Sequence, residues 1–413
     1  KLQVLLPNET PLPGSAAGKQ GTVSTRTAGT PFPVTVRAVD PYFNLVTSEQ
    51  SNVYLETSDS FDLHPSTVQL AAGSAVFWPA LVTESTVAIT AVSTTTYLLS
   101  DSSSVYNGAA SAYKLHVILP GETLTQGKCD TGSLCQPLTG RAGTIGTPDF
   151  SDPGVWPSTA GVNALARVYL VDRYYNRVKT HPGAQVKLST AAPAIGNYGF
   201  SPAQNAVSLT AGLADINFSL RTAATGHILT ASESGSANGY LAANSSSFTV
   251  VANNPTQMVV TLPTETQVNG KNVGAYGRSG GVFIATATTS GCYSAKVYAV
   301  DAWYNLVTWT PVTTVTAQTS DPNDTDPPGS FALTNGTGTV TNICPRTARK
   351  PSNDADPDGI ITNTTLQVTR TAGAALGSAT SSDFTVAPNT PDRVQALMPG
   401  GCNAPGTATG KGA

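Results

Sequence analysis

The chain has 413 residues, of which only 11% are charged, and a formal net charge of −3; so sparse a charge excludes nucleic acid and anionic membrane as electrostatic partners. No stretch reaches the ~20 consecutive apolar residues of a membrane-spanning helix. Runs of helix formers at helical spacing are absent, 38 Gly and 29 Pro punctuate short apolar segments, and 40% hydrophobic residues can fill a core in several domains, so the composition predicts an all-β protein.

The first element is the strand phrase Lys1-Leu2-Gln3-Val4-Leu5-Leu6-Pro7-Asn8-Glu9-Thr10. It returns from Lys114 to Thr123, from Gln257 to Thr266 and, in part, from Arg393 to Pro399. Starts at 1, 114, 257 and 393 make units of 113, 143 and 136 residues, each the size of one domain. The expected division is therefore 1–113, 114–256 and 257–392, with 393–413 the start of a fourth repeat and the whole a segment of a longer array. The words Leu-Pro-x-Glu-Thr look like a sortase tag, but their recurrence inside the chain makes them a strand-end phrase.

The second element of each unit alternates with period two. Val34, Val36 and Ala38 share one face, as do Ala166, Val168 and Leu170, then Ala295, Val297 and Ala299, while Thr35, Arg37, Arg167, Tyr169, Lys296 and Tyr298 fall on the other. One apolar face at period two is a half-buried strand. Each of these strands runs into the same words: Val39-Asp40-Pro41-Tyr42-Phe43-Asn44, Val171-Asp172-Arg173-Tyr174-Tyr175-Asn176, and Val300-Asp301-Ala302-Trp303-Tyr304-Asn305. Asp and Asn four apart bond nearby backbone N–H groups and accept unusual backbone angles, so the phrase reads as a hairpin corner. Further strands are expected at Asn52 to Glu56, Ala75 to Phe77, Val87 to Ala91, Gln185 to Leu188, Ala214 to Leu220 and Ile228 to Ala231. About seven short strands per unit predict three tandem immunoglobulin-like β-sandwich domains.

The strand followed by Asp, three residues and Asn resembles the corner of bacterial immunoglobulin-like repeats, the kind found in invasin- and intimin-type adhesins and other large surface proteins. Where that family usually carries Gly before the Asn, this chain carries Phe43, Tyr175 and Tyr304. The resemblance implies an extracellular, structural or adhesive role at the cell surface and supplies no catalytic residues.

The second unit is enlarged between Thr123 and Leu165, where Cys129, Cys135 and Trp156 lie, and long loops on a β scaffold are places where binding sits. Cys129 to Cys135 and Cys292 to Cys344 are expected disulfides, as an oxidising compartment allows. Cys402 is left to bond beyond residue 413 or to another chain. The adjacent aromatics Tyr174, Tyr175, Trp303 and Tyr304, with Trp156, could stack on a glycan or anchor a protein; their recurrence at one corner argues for a shared packing role. In the third unit Asp354, Asp356 and Asp358, with the carbonyl of Ile360, alternate as calcium ligands do, and Asp321, Asp324 and Asp326 form a second acidic cluster. A solvated loop is the plainer alternative. Gly277-Arg278-Ser279-Gly280-Gly281 has the spacing of a nucleophile elbow but no helix to follow it, and the four histidines have no ligand or catalytic neighbours at useful spacing.

The expectation is a non-enzymatic extracellular structural repeat protein of a filament, sheath or stalk that associates with itself or with neighbouring repeats. Carbohydrate- or receptor-binding adhesin modules, and accessory domains of a secreted enzyme, are the alternatives.

Overall fold

The computed structural model describes residues 1–412 apart from 96, 129–138, 147–157, 193–199, 202–205, 236–237, 272–273, 288–291, 309–310, 325–328 and 349–362. Every regular element among them is a β-strand.

The strands fall into successive groups that repeat one pairing scheme. In the first, Leu2–Leu5 lies antiparallel to Val34–Ala38, which pairs on its other edge with Ser74–Phe77. The facing sheet holds Asn52–Thr57, Ser85–Ser93 and Asp101–Gly108, with Arg26–Thr27 running parallel to the last of these. The segment after the first strand thus crosses from one sheet to the other, as an immunoglobulin-like sandwich requires. The second group repeats this with Lys114–Ile118, Ala164–Val171 and Leu213–Leu220 in one sheet, and Gln185–Ala192, Ala224–Glu233, Phe248–Val251 and the parallel Ser158–Thr159 in the other. The third uses Gln257–Thr261, Tyr293–Val300 and Thr337–Ile343 against Thr313–Thr319 and Leu366–Ala372, with Ile284–Thr286 parallel to Thr385–Ala387.

Each group has its own core, because the period-two faces meet between the sheets. Val34, Val36, Leu55, Phe77 and Ile89 fill the first; Val168, Leu170, Leu188, Phe218 and Leu229 the second; Val260, Val297, Val315 and Val368 the third. The inward residues of all three corner strands are buried, and their outward neighbours Arg167, Tyr169, Lys296 and Tyr298 are not. Burial at ~25 cal/mol per Å² of apolar surface makes these faces the main stabilising term of each sandwich.

The Leu-Pro-x-Glu-Thr phrase turns the chain out of its first strand. The Glu9 N–H donates to the Leu6 carbonyl at 2.9 Å, and Glu9 Oε2 accepts the Leu6 N–H at 2.8 Å. Glu122 and Leu119, then Glu265 and Leu262, repeat both bonds. The residues after it form a small hairpin, Thr10–Pro11 with Lys19–Gln20 in the first unit. Gly277-Arg278-Ser279-Gly280 belongs to the same hairpin in the third unit, where Ser279 pairs with Thr266. Residues 402–412 fold in the same way, pairing Cys402 with Gly412 and Asn403 with Lys411, and Gln395 Nε2 donates to the Gly410 carbonyl as Gln3 Nε2 does to Gly18. Cys292 and Cys344 are bonded, tying the start of one sheet strand to the end of its neighbour. Cys402 is exposed.

Candidate functional site

The Asp–Asn corner is where one sandwich meets the next. Asp172 Oδ1 accepts the N–H groups of Tyr174 and Asn176 at 2.8 and 2.9 Å, which closes the turn. Its Oδ2 accepts Asn176 Nδ2 at 2.9 Å and the N–H of Ala110, in the linker, at 2.8 Å. Asn176 then reaches into the preceding sandwich: Oδ1 accepts the N–H of Glu84 at 2.8 Å and Nδ2 donates to the carbonyl of Val82 at 2.7 Å. One carboxylate and one amide therefore hold the turn, the linker and the neighbouring sandwich together.

The third unit copies this bond for bond. Asp301 accepts Trp303 N, Asn305 N, Asn305 Nδ2 and the linker N–H of Asn253 at 2.8 to 2.9 Å, while Asn305 bonds Ala223 N and the Arg221 carbonyl, each at 2.7 Å. Asp172, Asn176, Asp301 and Asn305 are each 0% exposed. Burial pushes the Asp172 carboxyl up in pKa, against the hydrogen bonds from Asn176, Ala110 and Tyr174 that favour its charge.

Two close contacts complete each joint. The first corner aromatic lies on a glycine of the preceding sandwich: a Cβ on Gly29 would come within 2.0 Å of the Tyr174 hydroxyl, and one on Gly161 within 1.9 Å of Trp303 Nε1. Arg221 adds its guanidinium over the Trp303 ring at 4.2 Å. On the other side the hairpin glycines Gly127 and Gly270 sit against Thr83 and Thr222, where a Cβ would come within 2.0 and 2.2 Å of the threonine hydroxyl. In the first unit the trailing loop that receives these groups is pre-shaped from within. Asp59 accepts the N–H groups of Val82 and Thr83 and the Thr83 hydroxyl.

The second corner aromatics pack inside their own units. Phe43, Tyr175 and Tyr304 have φ of 66°, 59° and 65°, the left-handed region that usually favours glycine. Each ring covers a hairpin glycine, Gly18, Gly140 or Gly277, so closely that a Cβ there would overlap it. Lys1 and Lys114 place their ammonium groups over the Phe43 and Tyr175 rings at 3.5 and 4.0 Å. His116 is buried edge-on to Tyr175, with ring centroids 4.8 Å apart. Burial lowers its pKa to about 3, helped by the nearby charges of Arg141 and Lys114 and opposed by a hydrogen bond to the Gly140 backbone.

The structure thus brings Tyr174, Tyr175, Trp303 and Tyr304 together with the corner carboxylates as packing groups, and none of the four is an exposed platform. Asp321 is a staple like Asp59. Its carboxylate accepts Asn323 N, Arg346 N, Thr347 N and the Thr347 hydroxyl, and although burial alone would raise its pKa, these bonds hold it below the ordinary value. Asp324 Oδ2 accepts the Thr319 hydroxyl at 2.6 Å. No cluster of three metal-ligating side chains occurs among the described residues. Cys129, Cys135, Trp156, Asp326, Asp354, Asp356, Asp358 and Ile360 lie outside the described residues. Sequence reasoning missed the trailing loop. Its signal was the recurrence of Leu81-Val82-Thr83-Glu84 as Leu220-Arg221-Thr222-Ala223 and Pro345-Arg346-Thr347-Ala348.

Two outcomes are expected. Gly161→Ala forces Trp303 off its seat and loosens the second joint, seen as a broadened range of particle shapes in small-angle scattering. Gly239→Ala, at an equal φ but with open space around it, leaves the shape unchanged. The second outcome concerns acid. His116 has a folded pKa below its unfolded value, so its contribution is complete above pH ~6.5 and is lost as pH falls toward 3. Thermal melts should show a loss on the order of 4 kcal/mol across that window. His116→Gln, which restores the residue found at positions 3 and 395, should flatten it.

No protein-family model and no curated protein matches the chain. Among solved structures it is similar over 94% of its length to invasin, a bacterial integrin-binding protein, at 13% identity and a TM-score of 0.25, covering 60% of that chain. Over 88% of its length it is similar to the Escherichia coli adhesin FdeC, at 12% identity and a TM-score of 0.29, covering 94% of that chain. Over 55% it is similar to a Parabacteroides merdae β-glucuronidase, at 16% identity and a TM-score of 0.19, where it spans 23% of the enzyme. No helix among the described residues is long and apolar enough to cross a membrane. The structural neighbours of this all-β chain include bacterial immunoglobulin-like surface domains.

Proposed function

We propose that the chain is a non-enzymatic, extracellular structural array, part of a bacterial surface stalk, filament or sheath, built of units 1–113, 114–256 and 257–392 with a fourth beginning at 393. The carrying observation is the pair of buried Asp–Asn corners, each of which ties its own turn, a linker and the preceding sandwich with the same bonds. A flexible string of modules has no use for a fully buried amide and carboxylate at each junction, whereas a spacer that must hold distance and direction does. Side-chain hydrogen bonds from a buried Asn to main-chain groups are lost on bending and leave those groups unsatisfied, at ~1–3 kcal/mol each. In this reading the corner aromatics serve the joint rather than a glycan. Asp354, Asp356 and Asp358, with the Ile360 carbonyl, hold calcium without Asp321, whose oxygens are occupied by its own loop.

Electron microscopy of single chains tests the proposal. The expected images are rods with a narrow spread of inter-unit angles, and a glycan array with no specific signal. Freely jointed beads, or a glycan signal lost with Trp303→Ala, would replace it with the adhesin reading. Calcium is tested separately by calorimetry. It should raise the melting transition of the third unit alone, and an unchanged transition removes the metal from the account.

A further inference from the structure

The corner of the first unit is built like the other two but has nothing to hold. Asp40 Oδ1 accepts Tyr42 N at 2.8 Å and Asn44 N at 2.9 Å, and Oδ2 accepts Asn44 Nδ2 at 2.9 Å, the same distances as at Asp172 and Asp301. Yet Tyr42, the counterpart of Tyr174 and Trp303, is 70% exposed. Asn44 is exposed, and the hairpin glycine Gly14, counterpart of Gly127 and Gly270, has no atom within 4 Å of its Cβ position. The hydrogen bonds from Asn44 hold the Asp40 carboxyl below its ordinary pKa. The three groups that grip a neighbour elsewhere are here set in position and uncovered.

We infer that this face, formed by Tyr42, Asn44 and Gly14, is a docking surface for the trailing end of a further immunoglobulin-like unit of the same build, joined ahead of Lys1 in one polypeptide. This rests on reading the chain as end-to-end stacked units and names the partner that reading requires at one particular face. The chemistry of the occupant follows from the joints already made. It offers a glycine to seat the Tyr42 ring, as Gly29 seats Tyr174. It offers a carbonyl and an N–H two residues apart for Asn44, as Val82 and Glu84 do for Asn176. Between them it carries a threonine to meet Gly14, as Thr83 meets Gly127. A linker N–H four residues ahead of the first strand completes the set at Asp40 Oδ2, in the position Ala110 holds relative to Lys114.

A second copy of this chain fits less well. Its trailing loop at Thr347 already faces its own residues 404–410: Asn323 Nδ2 donates to the Pro405 carbonyl at 3.2 Å, and a Cβ on Gly406 would come within 2.2 Å of Thr347 Oγ1. Gly406 therefore holds the place that Gly127 and Gly270 hold in the other joints, and an incoming Gly14 would have to displace it.

The test places a copy of residues 1–113 directly ahead of Lys1 in the full chain and follows tyrosine accessibility by hydroxyl-radical footprinting. Labelling of the Tyr42 that follows the added unit should fall at least fivefold relative to the unextended chain, and Asn44→Ala combined with Gly14→Val should restore it. Undiminished labelling at Tyr42 while Tyr174 stays protected would overturn the inference and leave the stacked array standing. Labelling of Tyr174 equal to that of Tyr42 would overturn the array itself. Protection of Tyr42 in the unextended chain on raising its concentration would assign the face to a second copy and overturn the inference as well.

Discussion

The architecture hangs on a carboxylate and an amide four residues apart. Asp172 and Asp301 each spend four acceptor positions on groups from two segments, and the partner Asn carries the connection onward into the neighbouring sandwich. Because both side chains are wholly buried, every one of those positions has to be filled. A small change in the angle between sandwiches would break several bonds at once, so the joint has one favourable geometry rather than a range.

The aromatic before each Asn shows how the corner stays in shape. A left-handed backbone costs a non-glycine residue roughly 1–2 kcal/mol, and three different rings accept that cost at the same place. Glycine would remove the cost and also the ring, and the ring is what clamps the first hairpin onto the corner through Gly18, Gly140 and Gly277. The hairpin in turn carries Gly127 and Gly270 to the neighbouring threonines. The strained residue and the inter-unit contact are thus two ends of one piece of packing.

The fold was legible because it depends on local pattern. Period-two burial in Val34 to Ala38 and its two counterparts, together with the recurrence of the first strand, placed the sheets without knowledge of any contact. The Asp–Asn corner was legible as a turn, since its Oδ1 bonds reach only two and four residues along the chain. Its role as a joint was not, because the bonds of Asn176 span 92 and 94 positions to a loop with no distinctive composition. The stapling role of Asp321 was hidden for a related reason. An acidic residue among others reads as a cation ligand, whereas its partners are main-chain N–H groups 25 and 26 residues away that leave no mark in the side-chain sequence.

Each sandwich carries the corner at one end and a trailing loop at the other, stapled by Asp59 in the first and by Asp321 in the third, and the first three hairpins differ in length without disturbing the corners. Duplication of one whole unit in the gene would deliver a segment already matched to whatever stands before and after it. The reach of such a protein is then a quantity that unequal recombination can adjust in whole steps, and selection on length can act without first solving a new packing problem.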